Sequence, residues 1–439
     1  MKKKVILLSL DALGNADFEI MAKLPGFKRI LEQGTWCSRS RSVYPSLTFP
    51  SHASIITGCK PAGHGIVNNY ILEPGQEPGR WYHYSGALKR KALWDYAAAA
   101  GKTMLSLSWP VSGGADIRYN LPEMNPAKPK IWNAANFAAQ MGLFFSHGTP
   151  SLAVKNLLVN PSLAKAWFLG AQPDLDKGII KLFLKNLRQY SWDIALCHIY
   201  GMDDAKHCFG AESPEAREYL PLYGDFVNRL ADFVDERKKA GEAITLMVTG
   251  DHSQLDVTKA VCGNMMLAEM GYSQWKNGKL QSWDAWMDSG DGMAYLYIRE
   301  GIADTAAAKA MIKTIARKFK AHPGVAKVMY PEEFLPLGCG SDAALVFEAA
   351  PGCGFDGRWH SGAENSDYSI PNQYKAIHGY LPDIPGYETL FFCYGQAVRP
   401  GEIQSMSIID ILPTVCDWLE IVPDTVDGRR IENLLEKQI

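Results

Sequence analysis

Short, unbroken apolar runs separated by helical stretches set the rhythm of this chain. The clearest lie at residues 5–10, 103–107, 194–200, 244–249 and 390–394. Each is about a strand long and apolar on both faces, which predicts a parallel sheet covered by helices on either side. Between them, residues 27–33 read as a helix stopped by Gly34, and residues 50–56 as a helix stopped by Thr57-Gly58. Proline opens the second and glycine closes both, as helix ends favour. A last helix is expected from about Ser407 to Leu419, bent at Pro413. The pattern is α/β, doubly wound.

Two stretches break that rhythm. Residues 110–190 are rich in proline, asparagine and aromatics before helical patterning returns. Residues 256–375 carry a small unit of their own, with an apolar run at 294–298, a helix at 306–320, and strands near 325–330 and 343–348. The expected organisation is therefore a core made of residues 1–255 and 376–439, with residues 256–375 inserted as an α+β cap.

Composition narrows the functions open to such a fold. At 439 residues and 47% hydrophobic content the chain can bury a large core. A formal charge of -2 excludes binding a nucleic-acid polymer by bulk charge, so an anionic substrate must be drawn by a local site. The nine cysteines are odd in number and scattered without a CxxC pair, which excludes a zinc ribbon or redox motif. Those in apolar runs, such as Cys197 and Cys393, read as buried thiols. The start, MKKKVILLSLDALG, has too short an apolar run for a signal peptide and is interrupted by Asp11; it reads as the first buried strand. No apolar run is long enough to span a membrane. The expectation is a cytoplasmic protein without a membrane partner, its oligomeric state open.

The candidate chemistry gathers at strand ends. Asp11 follows VILLSL, Asp203 comes shortly after IALCHIY, and Asp251 follows ITLMVTG. Open α/β sheets bind ligands beyond the carboxyl ends of their strands, so three carboxylates distant in sequence should meet at one edge. His252 is adjacent to Asp251. His207 lies four residues after Asp203, on the same face of any helical turn formed there. His378 sits in the turn-like IHGYLP before the last strand. Carboxylate and imidazole donors without thiolate suit a hydrolytic zinc or manganese site. In YPSLTFPSH, Pro50 opens a helix and Thr48 lies just before it, where free N–H groups favour a phosphate. A threonine hydroxyl needs a base or metal to become a nucleophile; the plainer reading of Thr48 is an N-cap.

In order, DALG, PSLTFPSH, HGIVNN, MDDAKHCFG, TGDHS and HGYLP resemble the nucleotide pyrophosphatase/phosphodiesterase branch of the alkaline phosphatase superfamily. The resemblance implies an alkaline-phosphatase-like core, a mostly parallel sheet flanked by helices, with two divalent metals, zinc before manganese. It implies that Asp11, Asp251, His252 and the Thr48 oxygen hold one metal, and that Asp203, His207 and His378 hold the other. Thr48 would be the nucleophile of a phosphothreonine intermediate. Asn69 would donate a hydrogen bond to a phosphoryl oxygen, and Phe49 would stack on a nucleobase. The usual PDxxGH is here MDDAKH, which puts Lys206 where it can bring a positive charge to the substrate, the alternative being a solvated surface lysine. The usual DHGM is here Asp251-His252-Ser253-Gln254.

The substrate class so implied is a small phosphodiester or a nucleotide. The rivals are a phosphomonoesterase or phosphonate hydrolase on the same scaffold and, from another class, a non-catalytic protein that keeps the fold to bind a ligand. A sulfatase is disfavoured, since the nucleophile segment lacks the Cys/Ser-x-Pro-x-Arg pattern. Asp288-Ser-Gly-Asp291-Gly lacks the spacing of a calcium loop and reads as a turn before a strand. His64 is expected to order the loop that presents Asn69. His83, His147, His198, His322 and His360 receive no role.

Overall fold

The strand Lys3–Leu10 is buried along nearly its whole length and lies inside a nine-stranded sheet of the computed structural model. The structure describes residues 2–76, 79–124, 131–303, 305–340, 342–362, 367–432 and 434–435. Both faces of that strand are apolar, and alternate residues point to opposite faces. Ile6, Leu8 and Leu10 join one hydrophobic cluster, against the helices Asp174–Gln189 and Tyr219–Lys239. Val5 and Leu7 join another, against the helices Thr48–Thr57 and Ile411–Leu419. Each such side chain contributes roughly 1.5–3 kcal/mol when fully buried, which is why the run from Val5 to Leu8 carries no polar side chain.

Lys3–Leu10 pairs in parallel with Ile194–Ile199 and Ala243–Thr249. Ile194–Ile199 in turn pairs in parallel with Met104–Leu107, which pairs with Tyr119–Leu121. The register sets Leu10 opposite Ile199 and Ser9 opposite Thr249. The residues that follow these strands therefore emerge together at one edge. This places the site.

Three details differ from the sequence reading. The strand Thr389–Gly395 runs antiparallel to both neighbours, so the sheet is mixed, though mostly parallel. Its partner Thr35–Arg41, reading TWCSRSR, was not anticipated, because its polar positions hide it from a search for apolar runs. Pro413 does not fall in mid-helix. The C-terminal helix begins only at Ile411, so proline falls in its first turn, where its missing N–H costs no hydrogen bond.

Within residues 256–375, Ala285–Gly290, Met293–Ile298, Leu345–Ala349 and Val325–Met329 form an antiparallel four-stranded sheet. The helix Ala306–Lys320 packs on it through Ile315 and Phe319, forming a cluster with Leu296 and Phe347. Asp288 is inside the first of these strands and Asp291 in the following turn, so the acidic segment spans a strand and a hairpin tip. The tip is held to the segment carrying His378: Gly292 N–H donates to His378 O at 2.8 Å. A Cβ at Gly379 would come within 2.2 Å of Gly290 O, and φ there is +92°, so glycine permits this approach.

Candidate metal centre and nucleophile

Thr48 occupies the first turn of the helix Thr48–Thr57, with Leu47 as its N-cap; the hydroxyl thus sits on the helix itself rather than before it. In that turn the Phe49 N–H goes to Asn69 Oδ1, the Ser51 N–H to Leu47 O, and Pro50 has none, which leaves the Thr48 N–H to face an anion. The Thr48 hydroxyl is 3.1 Å from His252 Nε2. His252 Nε2 also lies 3.3 Å from Asp11 Oδ1 and 3.2 Å from Asp251 Oδ2. Asp11, Asp251 and His252 form one buried cluster of ligating atoms; Asp203, His252 and His378 form a second. His252 belongs to both, and its ring stacks on His378 at 4.0 Å between centroids.

The helix Gly201–Phe209 presents Asp203 and His207 one turn apart, with His207 Nε2 3.4 Å from Asp203 Oδ2. The other nitrogen, Nδ1, donates to Ala376 O at 2.8 Å, which leaves Nε2 to face the carboxylate. His207 thus lies beside the second cluster without joining its tight triad. Gln254, where the family pattern has methionine, donates to the Asp203 carboxylate and to its backbone oxygen. Asp291 Oδ2, from the hairpin tip, stands 4.0 Å from His378 Nε2.

Electrostatics here are those of a site short of positive charge. Burial pushes the Asp11 and Asp251 carboxyls well above the usual carboxylate range, and neighbouring carboxylates add to it. Burial also pushes the His252 and His378 imidazoles down. Burial opposes the His207 imidazolium too, but Asp203 outweighs it and holds that group up at about 9. Asp203 is itself held well below its usual range: burial works to raise it, and His207 more than reverses this. Asp11 Oδ1, Asp251 Oδ2, His252 Nδ1 and His378 Nδ1 are buried without a hydrogen bond of normal geometry. Buried carboxylate and imidazole atoms left unsatisfied in this way, with no thiolate among them, fit divalent cations.

Two histidines that sequence reasoning left without a role belong to this centre. His52, one helical turn after Thr48, donates from Nδ1 to Thr48 O at 2.8 Å and accepts from Ser9 Oγ at Nε2, 2.9 Å. That spacing inside PSLTFPSH was the available signal. His198 bridges Asp11 Oδ2 and Glu123 Oε2, each at 3.0 Å. Both its nitrogens face acceptors; burial opposes its charge, but Glu123 outweighs burial and raises its pKa. Its place on the strand before Asp203 was a faint signal, and Glu123 offered none. His64, buried, contacts Ser54 Oγ at 2.9 Å and accepts from Ile66 N–H at 3.1 Å, which orders the loop before Asn69.

The substrate-side residues are placed less simply. Asn69 Oδ1 accepts from Phe49 N–H at 2.9 Å, which sets its amide beside Thr48. Phe49 is fully buried, packed against Trp81 and His83, so the half-buried Trp81 covers the ring meant for stacking. Lys206 is neither a surface lysine nor free to reach substrate. Its buried ammonium donates to Asp17 Oδ2 at 2.7 Å and to Ala12 O at 2.8 Å. A buried ammonium is held where a carboxylate compensates it, and Asp17 does so.

A mostly parallel sheet that ends in two adjoining buried carboxylate–imidazole clusters, with a threonine at a helix N-terminus beside them, defines a protein with a candidate two-metal centre. The chain belongs to the type I phosphodiesterase/nucleotide pyrophosphatase family, whose model matches residues 5–380, and so to the alkaline phosphatase superfamily. Human ectonucleotide pyrophosphatase/phosphodiesterase family member 5 is 21% identical over 96% of this chain and 75% of its own length. The Bis(5'-adenosyl)-triphosphatase of Mus musculus is 20% identical over 97% of the chain and 79% of its own. Human family member 1 is 31% identical over 26% of the chain, a match spanning only 12% of that relative's length. The solved structure of murine family member 5, in an inactive form bound to AMP, superposes with a TM-score of 0.65 at 17% identity, covering 99% of this chain and all of that one.

Proposed function

We propose that this protein is a two-metal hydrolase of phosphodiester or nucleotide pyrophosphate bonds that works through Thr48. The observation that carries the proposal is the Thr48 hydroxyl at a helix N-terminus, 3.1 Å from the histidine shared by two buried metal-ligand clusters. Asp11, Asp251 and His252 would hold one cation, and Asp203, His207 and His378 the other. Bound there, two cations, zinc before manganese, would lower the hydroxyl pKa and offset charge on the phosphoryl oxygens. Thr48 Oγ1 forms the new bond to phosphorus while the bond to the leaving oxygen breaks, and water then hydrolyses the phosphothreonine. The helix N-terminus and the Asn69 amide hold the phosphoryl group in line. His52 fixes the backbone that carries the nucleophile, and His198 orients Asp11.

The preference for diesters over monoesters rests on Lys206. A monoester dianion asks for more positive charge than a diester monoanion, and Lys206, the candidate source of that charge, is bound to Asp17. Asn69 is a neutral donor, suited to a singly charged group. The half-buried Trp81, packed on Phe49 beside the nucleophile, provides aromatic surface for a second substituent. The murine relative's AMP complex supports a nucleotide-type substrate. Comparing kcat/KM of the zinc-loaded protein on p-nitrophenyl phosphate and on a p-nitrophenyl nucleoside monophosphate decides the matter. Faster diester cleavage is expected; faster monoester cleavage would promote the phosphatase reading, and no cleavage of either would favour a ligand-binding protein.

A further inference from the structure

Asn68 precedes the proposed phosphoryl donor Asn69 and links two parts of the molecule. Its Nδ2 donates to Asp288 Oδ2 at 2.8 Å and to Ser289 O at 3.0 Å, both on the strand Ala285–Gly290. Its Oδ1 accepts from Asn69 N–H at 2.7 Å, and Asn69 Oδ1 accepts from Phe49 N–H at 2.9 Å. Backbone N–H groups only donate and a carbonyl oxygen only accepts, so the orientation of both amides follows from their partners. Asn69 Nδ2 is then left as the outward donor, with no hydrogen bond of its own among the described residues. All four side chains, Asn68, Asn69, Phe49 and Asp288, are buried.

We propose that Asp288 and Asn68 are positioning residues that aim the Asn69 amide at the phosphoryl group beside Thr48. The proposal rests on the reading of Asn69 given under Proposed function, and it assigns residues 256–375 a part in the reaction itself. The chain runs from Asp288 through Asn68 to Asn69 and ends on the N–H of the residue after the nucleophile. A rotation of Asn68 would release the Asn69 backbone and, with it, the direction of Nδ2. Burial pushes the Asp288 carboxyl up to about 7, but its Oδ2 accepts from Asn68 whether or not the group carries a proton. An amide oxygen at this position serves equally well.

The test is a mutant cycle on the zinc-loaded protein, read as kcat and KM on a p-nitrophenyl diester and as inhibition by inorganic vanadate. Zinc content and the urea midpoint accompany each variant. Asn69→Ala should lower kcat by about a hundredfold, the usual effect of losing one preorganised donor. Asn68→Ala and Asp288→Leu should each lower kcat about tenfold and weaken vanadate binding, with zinc content unchanged. Asp288→Asn should regain most of what Asp288→Leu loses, and Asn68→Ala should cost nothing further once Asn69 is alanine. If Asn69→Ala is costly but Asn68→Ala is neutral, or if the two losses simply add, the relay is overturned while the donor role of Asn69 stands. If Asn69→Ala is itself neutral, the donor reading fails and the relay with it. Should Asp288→Leu lose zinc or fold, the Asn68 and Asn69 cycle decides alone.

Discussion

Thr48 and Lys206 show how little a residue's type says until its partners are known. Thr48 reads as a helix-capping threonine in the sequence, and its buried hydroxyl instead meets His252. Thr48→Ala should cost at least about three orders of magnitude in turnover with the fold and zinc content intact, while Thr48→Ser retains substantial activity. Near-normal turnover by metal-loaded Thr48→Ala would mean that water attacks directly. Lys206 departs from the family glycine and ties Ala12, whose φ is +57°, to the helix bearing Asp203 and His207. Lys206→Met leaves Asp17 buried without its partner and should cost about 3–5 kcal/mol in urea unfolding. Asp17→Asn in the same chain should recover much of that, since the amide oxygen still accepts from Gly14 N–H. A stable Lys206→Met variant with raised KM would instead return this lysine to the substrate.

Among elements, the four-stranded sheet within residues 256–375 has the clearest dependence on pH. Glu348 lies in its strand Leu345–Ala349 and accepts from Tyr44 O–H and Leu381 N–H, each at 2.8 Å. Burial raises its carboxyl from 4.5 to about 7. The folded state therefore holds this proton more tightly than the unfolded chain. The resulting stability is full below about pH 4.5 and is lost as pH rises through about 7. Glu348→Gln should remove its own part of the fall in urea midpoint between pH 5 and 8, of order 3 kcal/mol, while Asp288 of the same sheet, also pushed up to about 7, keeps its part. An unchanged pH profile would place the titrating group elsewhere. Met293–Ile298, Val325–Met329, Leu345–Ala349 and the helix Ala306–Lys320 were legible from apolar runs and helical spacing, whereas the strand Ala285–Gly290, read in part as a turn, was not. The contacts of this unit with the site through Asp288 and Asp291 were not legible, because a lone carboxylate in a strand shows no periodicity.

For the whole molecule, cations bound at the proposed centre would be linked to the stability of the fold. The candidate ligands come from the ends of separate strands and helices, and the unfolded chain cannot hold them together. Each ion should add about 3 kcal/mol at a free concentration a hundredfold above its Kd. Chelation should therefore lower Tm, and zinc should restore it; anomalous scattering at the zinc edge would then show metal at Asp11, Asp251 and His252 and at Asp203, His207 and His378. A chelator-treated protein with unchanged Tm and zinc still bound elsewhere would count against these ligands.

The sequence by itself determined the class of fold and which carboxylates meet at the edge of the sheet. Runs of strand length that are apolar on both faces fit buried strands, so VILLSL, IALCHIY and ITLMVTG announced the sheet. The residues placed just after them, Asp11, Asp203 and Asp251, had to gather at its carboxyl edge. Partnership was decided only by the tertiary structure. Whether Lys206 faces substrate or Asp17, whether Phe49 lies open or under Trp81, and whether His198 and Glu123 support Asp11 depend on side chains from elements far apart in sequence. Strand registers and a close glycine approach bring those elements together. Hydrophobic pattern is a local property of the chain, whereas a buried charge or amide is satisfied by whatever packing brings within about 3 Å of it.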